Sequence, residues 1–131
     1  MAREQSATER AKAAALAIAD VATIRCEGEM GQFELEHLCD EIFRLTNRGR
    51  TKIVLDLTGV DHLDYRGLAP LAARARLLRK AGGDLKLAGL SAYTAALFRA
   101  AGVDEDFEMY ENAEDAKVAY AAMPALAVVR R

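Results

Sequence analysis

Asp61-His62-Leu63-Asp64 places three potential metal ligands within four residues. Metal sites usually draw their ligands from several elements. No HExxH, CxxC or histidine pair accompanies this cluster, so no metal is expected there. His37 and His62 are the only histidines, and neither has a local serine or cysteine partner. The nucleophile, base and orienter of covalent catalysis are therefore missing. Paired carboxylates occur only as surface runs such as Asp104-Glu105-Asp106. A Walker pattern and a GxGxxG fingerprint are both absent, and Gly82-Gly83 suits a helix C-terminus. The residues predict neither an enzyme nor a cofactor. Cys26 and Cys39 are too few for a disulfide framework and fit a reduced, cytoplasmic setting.

The informative segment is Asp64-Tyr65-Arg66-Gly67-Leu68. It follows an aliphatic run and opens a helix, where free N–H groups and the positive dipole end favour anions. Asp64 suits that position as a cap. Arg66 is a cation against the dipole, and Tyr65 adds a large side chain to the same turn. Tyr and Arg are common interface hot spots, so these five residues are candidates for partner binding.

The elements that must position this turn read as follows. Lys52–Leu57 is the clearest strand, with aliphatics dense enough for burial on both faces, as in a covered parallel sheet. The segment 58–64 then connects to a helix over Gly67–Lys80. Its stripe is Leu68, Leu71, Ala72, Ala75 and Leu78, and Pro70 is tolerated only near its start. Leu35, Leu38, Cys39, Ile42 and Leu45 form the apolar stripe of a helix over Gln32–Arg48. Asp84–Ala88 and Phe107–Tyr110 alternate as strands. Ser91 and Asn112 cap helices to Ala101 and about Ala122. Between Ala13 and Cys26 two signals compete. Alanine favours helix, whereas alternation around Asp20 favours two short strands and a tight turn; the hairpin is the reading adopted. Glu27–Gly31 then reads as a glycine-punctuated turn. The expected fold is α/β, a mixed, mostly parallel sheet with an N-terminal β-hairpin and helices packed mainly on one side.

A chain of 131 residues, 52% hydrophobic and 29% charged, is one globular domain's worth. No run approaches the roughly 20 apolar residues of a membrane span, and the charged first twelve residues predict no secretory signal. The net charge of −2 removes the usual electrostatic argument for nucleic acid. That sum conceals blocks. Arg44–Lys80 holds nine basic and three acidic residues, whereas Gly102–Val118 holds seven acidic and one basic. Such blocks suit a protein that meets charged partners, or simply solvated helix faces. Residues 1–12 read as a polar, flexible lead-in, 13–122 as the domain, and 123–131 as an apolar tail around Ala125–Val129.

Gly28-Glu29-Met30, Lys52–Leu57 running into Thr58-Gly59-Val60, and Leu63-Asp64-x-x-Gly67-Leu68 together resemble the STAS domain. The similarity continues through Gly82-Gly83-Asp84, Leu90-Ser91, Leu97-Phe98, Gly102-Val103 and Phe107–Tyr110, covering about Leu16 to Tyr120. Among STAS domains the sequence is most similar to bacterial anti-sigma factor antagonists. That resemblance implies a non-enzymatic docking module for signal transduction and transcription regulation. Its partner would be an anti-sigma factor that is also a serine kinase, or a stressosome-like assembly. It further implies a switch in which phosphorylation of a Ser or Thr in the turn abolishes capture. Tyr65 and Arg66 stand where the family carries hydroxyl residues. Arg66 occupies the usual phosphoacceptor position and cannot form a phosphoester. The resemblance thus implies docking through Asp64, Tyr65, Arg66, Gly67 and Leu68, with no phosphoacceptor and, given the basic helix behind the turn, a preference for acidic partner surfaces. Two alternatives share the fold: a STAS subunit of a lipid-trafficking ABC transporter, and an anion- or nucleotide-sensing domain.

Overall fold

The computed structural model describes residues 2–122, with side chains from residue 7 onward except at Ala17. Among the described residues, five α-helices pack around one sheet: α1 (Ala2–Ala19), α2 (Gln32–Asn47), α3 (Leu68–Lys80), α4 (Ala92–Ala100) and α5 (Ala113–Ala121). The strands are β1 (Ala22–Met30), β2 (Lys52–Leu63), β3 (Asp84–Ala88) and β4 (Met109–Tyr110), ordered β1-β2-β3-β4 and all parallel. This is the expected α/β architecture. Its main core lies between the sheet and α2, α3 and α4, where Leu35, Ile42, Leu71, Ala75 and Phe98 pack on Ile53, Leu55 and Leu87. α5 covers the opposite face, where Tyr120 and Ala116 join Val54 and Ala88, and α1 packs on α5.

The N-terminal hairpin is not formed. Residues 13–19 continue α1, and the chain turns over Asp20 and Val21 into β1, with Val21 N–H donating to the Ile18 carbonyl at 3.1 Å. The alanine run decides the matter, because helix propensity accumulates over eighteen residues while the alternation spans only a few. α1 runs unbroken from Ala2 to Ala19. The apolar tail around Ala125–Val129 lies outside the described residues.

Two further segments differ from expectation. Glu27–Met30 is strand, not turn: β1 pairs with β2 from Ala22↔Ile53 through Met30↔Leu63. Gly28 adopts φ 76°, a left-handed value that suits glycine, and the ladder shifts register beside it, so the glycine marks an irregularity within a strand. Segment 58–63 is correspondingly the second half of β2 rather than a connector. The last strand shortens to two residues, Met109–Tyr110. Because β3 stops opposite Asp56, residues 57–63 of β2 pair with β1 alone. The sheet therefore extends as a two-stranded ribbon, and the Asp64 turn sits at its tip.

Candidate functional site

Three contacts build the turn. Asp64 N–H donates to the Met30 carbonyl at 2.9 Å, tying the turn to the end of β1. The Asp64 carboxylate accepts the Arg66 N–H at 3.0 Å, capping a single 3₁₀ turn over Tyr65–Gly67. Gly67 N–H donates to the Asp64 carbonyl at 2.9 Å. α3 then starts at Leu68, which places Pro70 within its first turn, where its missing N–H costs nothing.

Gly67 is needed for space. Its φ is −87°, open to any residue, but a Cβ there would lie 2.6 Å from Leu35 Cδ1. The absent side chain lets the turn close onto α2, and Leu35 and Leu68 are buried beneath it. Tyr65, by contrast, is 54% exposed and points away from this core.

Arg66 does not project as a free cation. Its Nε donates to Asp64 Oδ1 at 3.0 Å and its Nη2 to Oδ2 at 2.8 Å, a two-pronged pair. These side-chain bonds, with the backbone N–H, hold the Asp64 carboxyl down to about pKa 2, and the same pair raises Arg66. The five predicted residues are thus brought together, Tyr65 outward, Asp64 and Arg66 on one another, and Gly67 and Leu68 inward. The basic helix behind them is similarly engaged. Arg76 pairs with Asp106, Arg79 with Asp84, and Arg74 stacks 5.3 Å over the Phe43 ring. Three of the four cations of α3 are therefore engaged within the molecule, one of them by a carboxylate of the acidic block.

Two features beside the turn lie outside the predicted set. His62 Nδ1 is 2.6 Å from the Tyr93 hydroxyl, their rings stack, and both side chains are exposed. Glu29 lies opposite His62 in the ladder, and no cluster of His, Cys, Asp or Glu suited to a metal occurs among the described residues. Between α2 and the turn lies a groove of about 290 Å³ floored by Leu35, Cys39, Gly67 and Pro70. The spacing of Leu35, Cys39 and Gln32, Glu36, Asp40 on one helical side could have signalled it, but only the position of the turn makes it a groove. The neighbouring hydroxyls of the sequence are both occupied: Thr58 Oγ1 donates to Asp56 at 2.6 Å and Ser91 caps α4.

A buried polar cluster on the α5 face was also not anticipated. Lys86, 3% exposed, pairs with Asp84 and Glu108 and lies over the Tyr120 ring. Burial alone would lower its ammonium pKa, but the two carboxylates hold it above the usual value. Tyr120 Oη accepts the Ile53 N–H at 3.1 Å and shares its proton between the Ile53 and Asp84 carbonyls, each at 2.7 Å. These groups brace β2 and β3 far from the turn.

The comparisons with known proteins agree with this architecture. A sequence profile described as the STAS domain matches residues 12–116. BtrV of Bordetella bronchiseptica, provisionally described as an anti-sigma factor antagonist, is 28% identical over 94 residues, covering 72% of this chain and 81% of that protein. Among solved structures, the unphosphorylated anti-sigma factor antagonist SpoIIAA superposes with a TM-score of 0.62 at 19% identity, over 79% of this chain and 90% of that one. The STAS domain of a SulP transporter from Vibrio cholerae superposes with a TM-score of 0.60 at 20% identity, over 79% and 82%.

Proposed function

The chain belongs to the STAS domain family, and from that premise we propose that it is a non-enzymatic docking module of the anti-sigma factor antagonist type. It acts in bacterial signal transduction and transcription regulation in the cytoplasm. It binds its partner through the Asp64–Leu68 turn, with Tyr65 as the exposed anchor, and it lacks the Ser/Thr phosphoacceptor. The partner is an anti-sigma factor of the serine-kinase type or a stressosome-like assembly. The observation that carries this reading is the Asp64–Arg66 pair. It fills the turn with a closed, charge-neutral ring of contacts at the position where a phosphorylatable hydroxyl would work as a switch. A phosphate there would add about two negative charges, and Arg66 offers no oxygen to carry it.

Three features support docking over catalysis. Tyr65 is large and exposed on a turn held rigid by Met30, Asp64 and Leu35. A rigid aromatic anchor loses little entropy on binding. Residues 64–68 include no serine, threonine or cysteine nucleophile. The likeness to BtrV extends over most of both proteins.

A second reading, a STAS subunit of a transport system, is favoured by the superposition on transporter STAS domains. No helix among the described residues is long and apolar enough to cross a membrane, so the membrane component would be a separate chain or segment. Anion sensing has less support, because Asp64 already occupies the cap and Arg66 is already paired.

The test is a binding titration against the kinase-type anti-sigma factor and the transporter permeases encoded in the same genome. Tight binding to the first, weakened at least about tenfold by Tyr65→Ala, supports the proposal. Binding only to a permease replaces it with the second reading.

A further inference from the structure

The groove between α2 and the turn has a consistent chemistry. Its floor is apolar, made by Leu35, Cys39, Gly67 and Pro70. Its α2 wall carries Glu36 and Asp40, one helical turn apart on the same side. Both are exposed, and neither has a hydrogen bond or ion pair among the described residues. Like charges at this spacing repel one another, so an external cation meeting both would relieve that repulsion. The two arginines near enough to serve are committed elsewhere. Arg66 on the opposite wall is closed on Asp64, and Arg74 lies over Phe43 and beside the Cys39 thiol, paired with neither wall carboxylate.

We propose that this groove is the specificity pocket of the docking surface, and that it receives a partner segment presenting an apolar side chain next to an arginine or lysine. The apolar side chain enters between Leu35 and Pro70, and the cation meets Glu36 and Asp40. This rests on the docking reading above and names the chemistry of the partner. It also reverses the preference for acidic partners expected from the basic sequence block. The cations of that block at the turn and along α3 are largely spent on internal partners, while the carboxylates facing the groove are free. Charge complementarity of this kind governs which partner docks and how fast. Its strength falls with added salt, because the pair sits at a wet rim.

The test needs no partner protein. The full chain, labelled with ¹⁵N, is titrated with the capped tetrapeptide acetyl-Ala-Leu-Arg-Ala-amide. Two control peptides replace the arginine with norleucine or with glutamate. The proposal expects saturable shifts at the amides of Glu36, Cys39, Asp40 and Gly67 with the arginine peptide. Binding should weaken about tenfold with norleucine and vanish with glutamate. It should also be lost in the Glu36→Gln/Asp40→Asn variant, whose substitutions are exposed and leave the core intact. The arginine peptide should slow alkylation of the Cys39 thiol, which lies in the floor. Equal binding of the arginine and norleucine peptides overturns the proposal, as does unchanged binding by the double variant or the absence of saturable shifts at millimolar peptide. These outcomes leave docking through Tyr65 untouched, since that is read by Tyr65→Ala against the partner itself. Conversely, a partner indifferent to Tyr65→Ala leaves the peptide result standing.

Discussion

Arg66 reaches back two residues and grips both carboxylate oxygens of Asp64, at 3.0 and 2.8 Å, while its own backbone N–H donates to Oδ1 of the same carboxylate. Residues two apart do not face each other on an α-helix. A 3₁₀ turn with an aspartate at its cap brings them together, and the geometry leaves neither charge free for an isolated ligand.

This pair sets a titration. The Asp64 carboxyl lies at about 2, below its ordinary 3.8, mainly through the Arg66 guanidinium and then the Arg66 N–H. A carboxylate lowered in the folded state contributes stability that is complete above its unfolded pKa and is lost as the pH falls through the folded one. The contribution should therefore be flat above about pH 4 and disappear toward about pH 2. Carboxyl ¹³C NMR checks this directly. In Arg66→Ala the Asp64 titration should move up toward the ordinary value, short of it because the backbone N–H remains. An unmoved titration would mean that the pair is not formed in solution.

Gly67→Ala should destabilise by about 1–3 kcal/mol, since the new methyl meets the Leu35 side chain in a filled core. Leu35→Ala alone should cost about 2–5 kcal/mol through its cavity. Because the two occupy one space, the double variant should cost less than the sum. Urea unfolding of the four proteins gives the coupling. Strict additivity would mean that the turn does not rest on Leu35.

Tyr120→Phe should destabilise by about 1–3 kcal/mol, because it leaves the Ile53 N–H without its hydroxyl acceptor beneath α5. Amide exchange should accelerate at Ile53 while the Asp64 turn stays protected. Equal acceleration at both would place them in one cooperative unit.

The two thiols should react differently. Cys26 is buried and its thiol is pushed up to about 11, chiefly by burial and then by Asp56. Cys39 is half-buried in the groove, and Arg74 offsets part of its burial. Iodoacetamide at pH 8 should add one carbamidomethyl group to the folded chain, at Cys39, and two after denaturation. Peptide mapping identifies the site, and modification of Cys26 first would contradict the packing of β1.

Much of this molecule was legible in its residues. The aliphatic run of β2, the stripe of α3, and Pro70 and Gly67 beside Asp64 marked a strand, a turn and a helix start, and those are where the turn lies. What escaped has physical causes. Alanine propensity and short-range alternation gave opposite answers over residues 13–19, and the helix prevailed. Gly28 has the dihedral of a turn residue but sits within a paired strand, so β1 was read as ending too soon. The basic and acidic blocks suggested a charged face. Arg76–Asp106 instead joins them across the fold, at a separation in sequence that no local pattern displays, and Arg79 pairs with Asp84, outside both blocks. The groove walls could be placed only once the turn was seen lying against α2.

The proposed docking runs through a turn that serine or threonine phosphorylation would not switch. It is tested by the affinity for the kinase-type anti-sigma factor encoded in the same genome, before and after incubation with that kinase and MgATP, with intact mass recorded on the same samples. Unchanged mass and unchanged affinity are expected for the native chain, whereas Arg66→Ser should gain one phosphate and lose binding. A phosphate acquired by the native chain within residues 64–68, with loss of binding, would contradict it, as would the absence of binding before ATP is added.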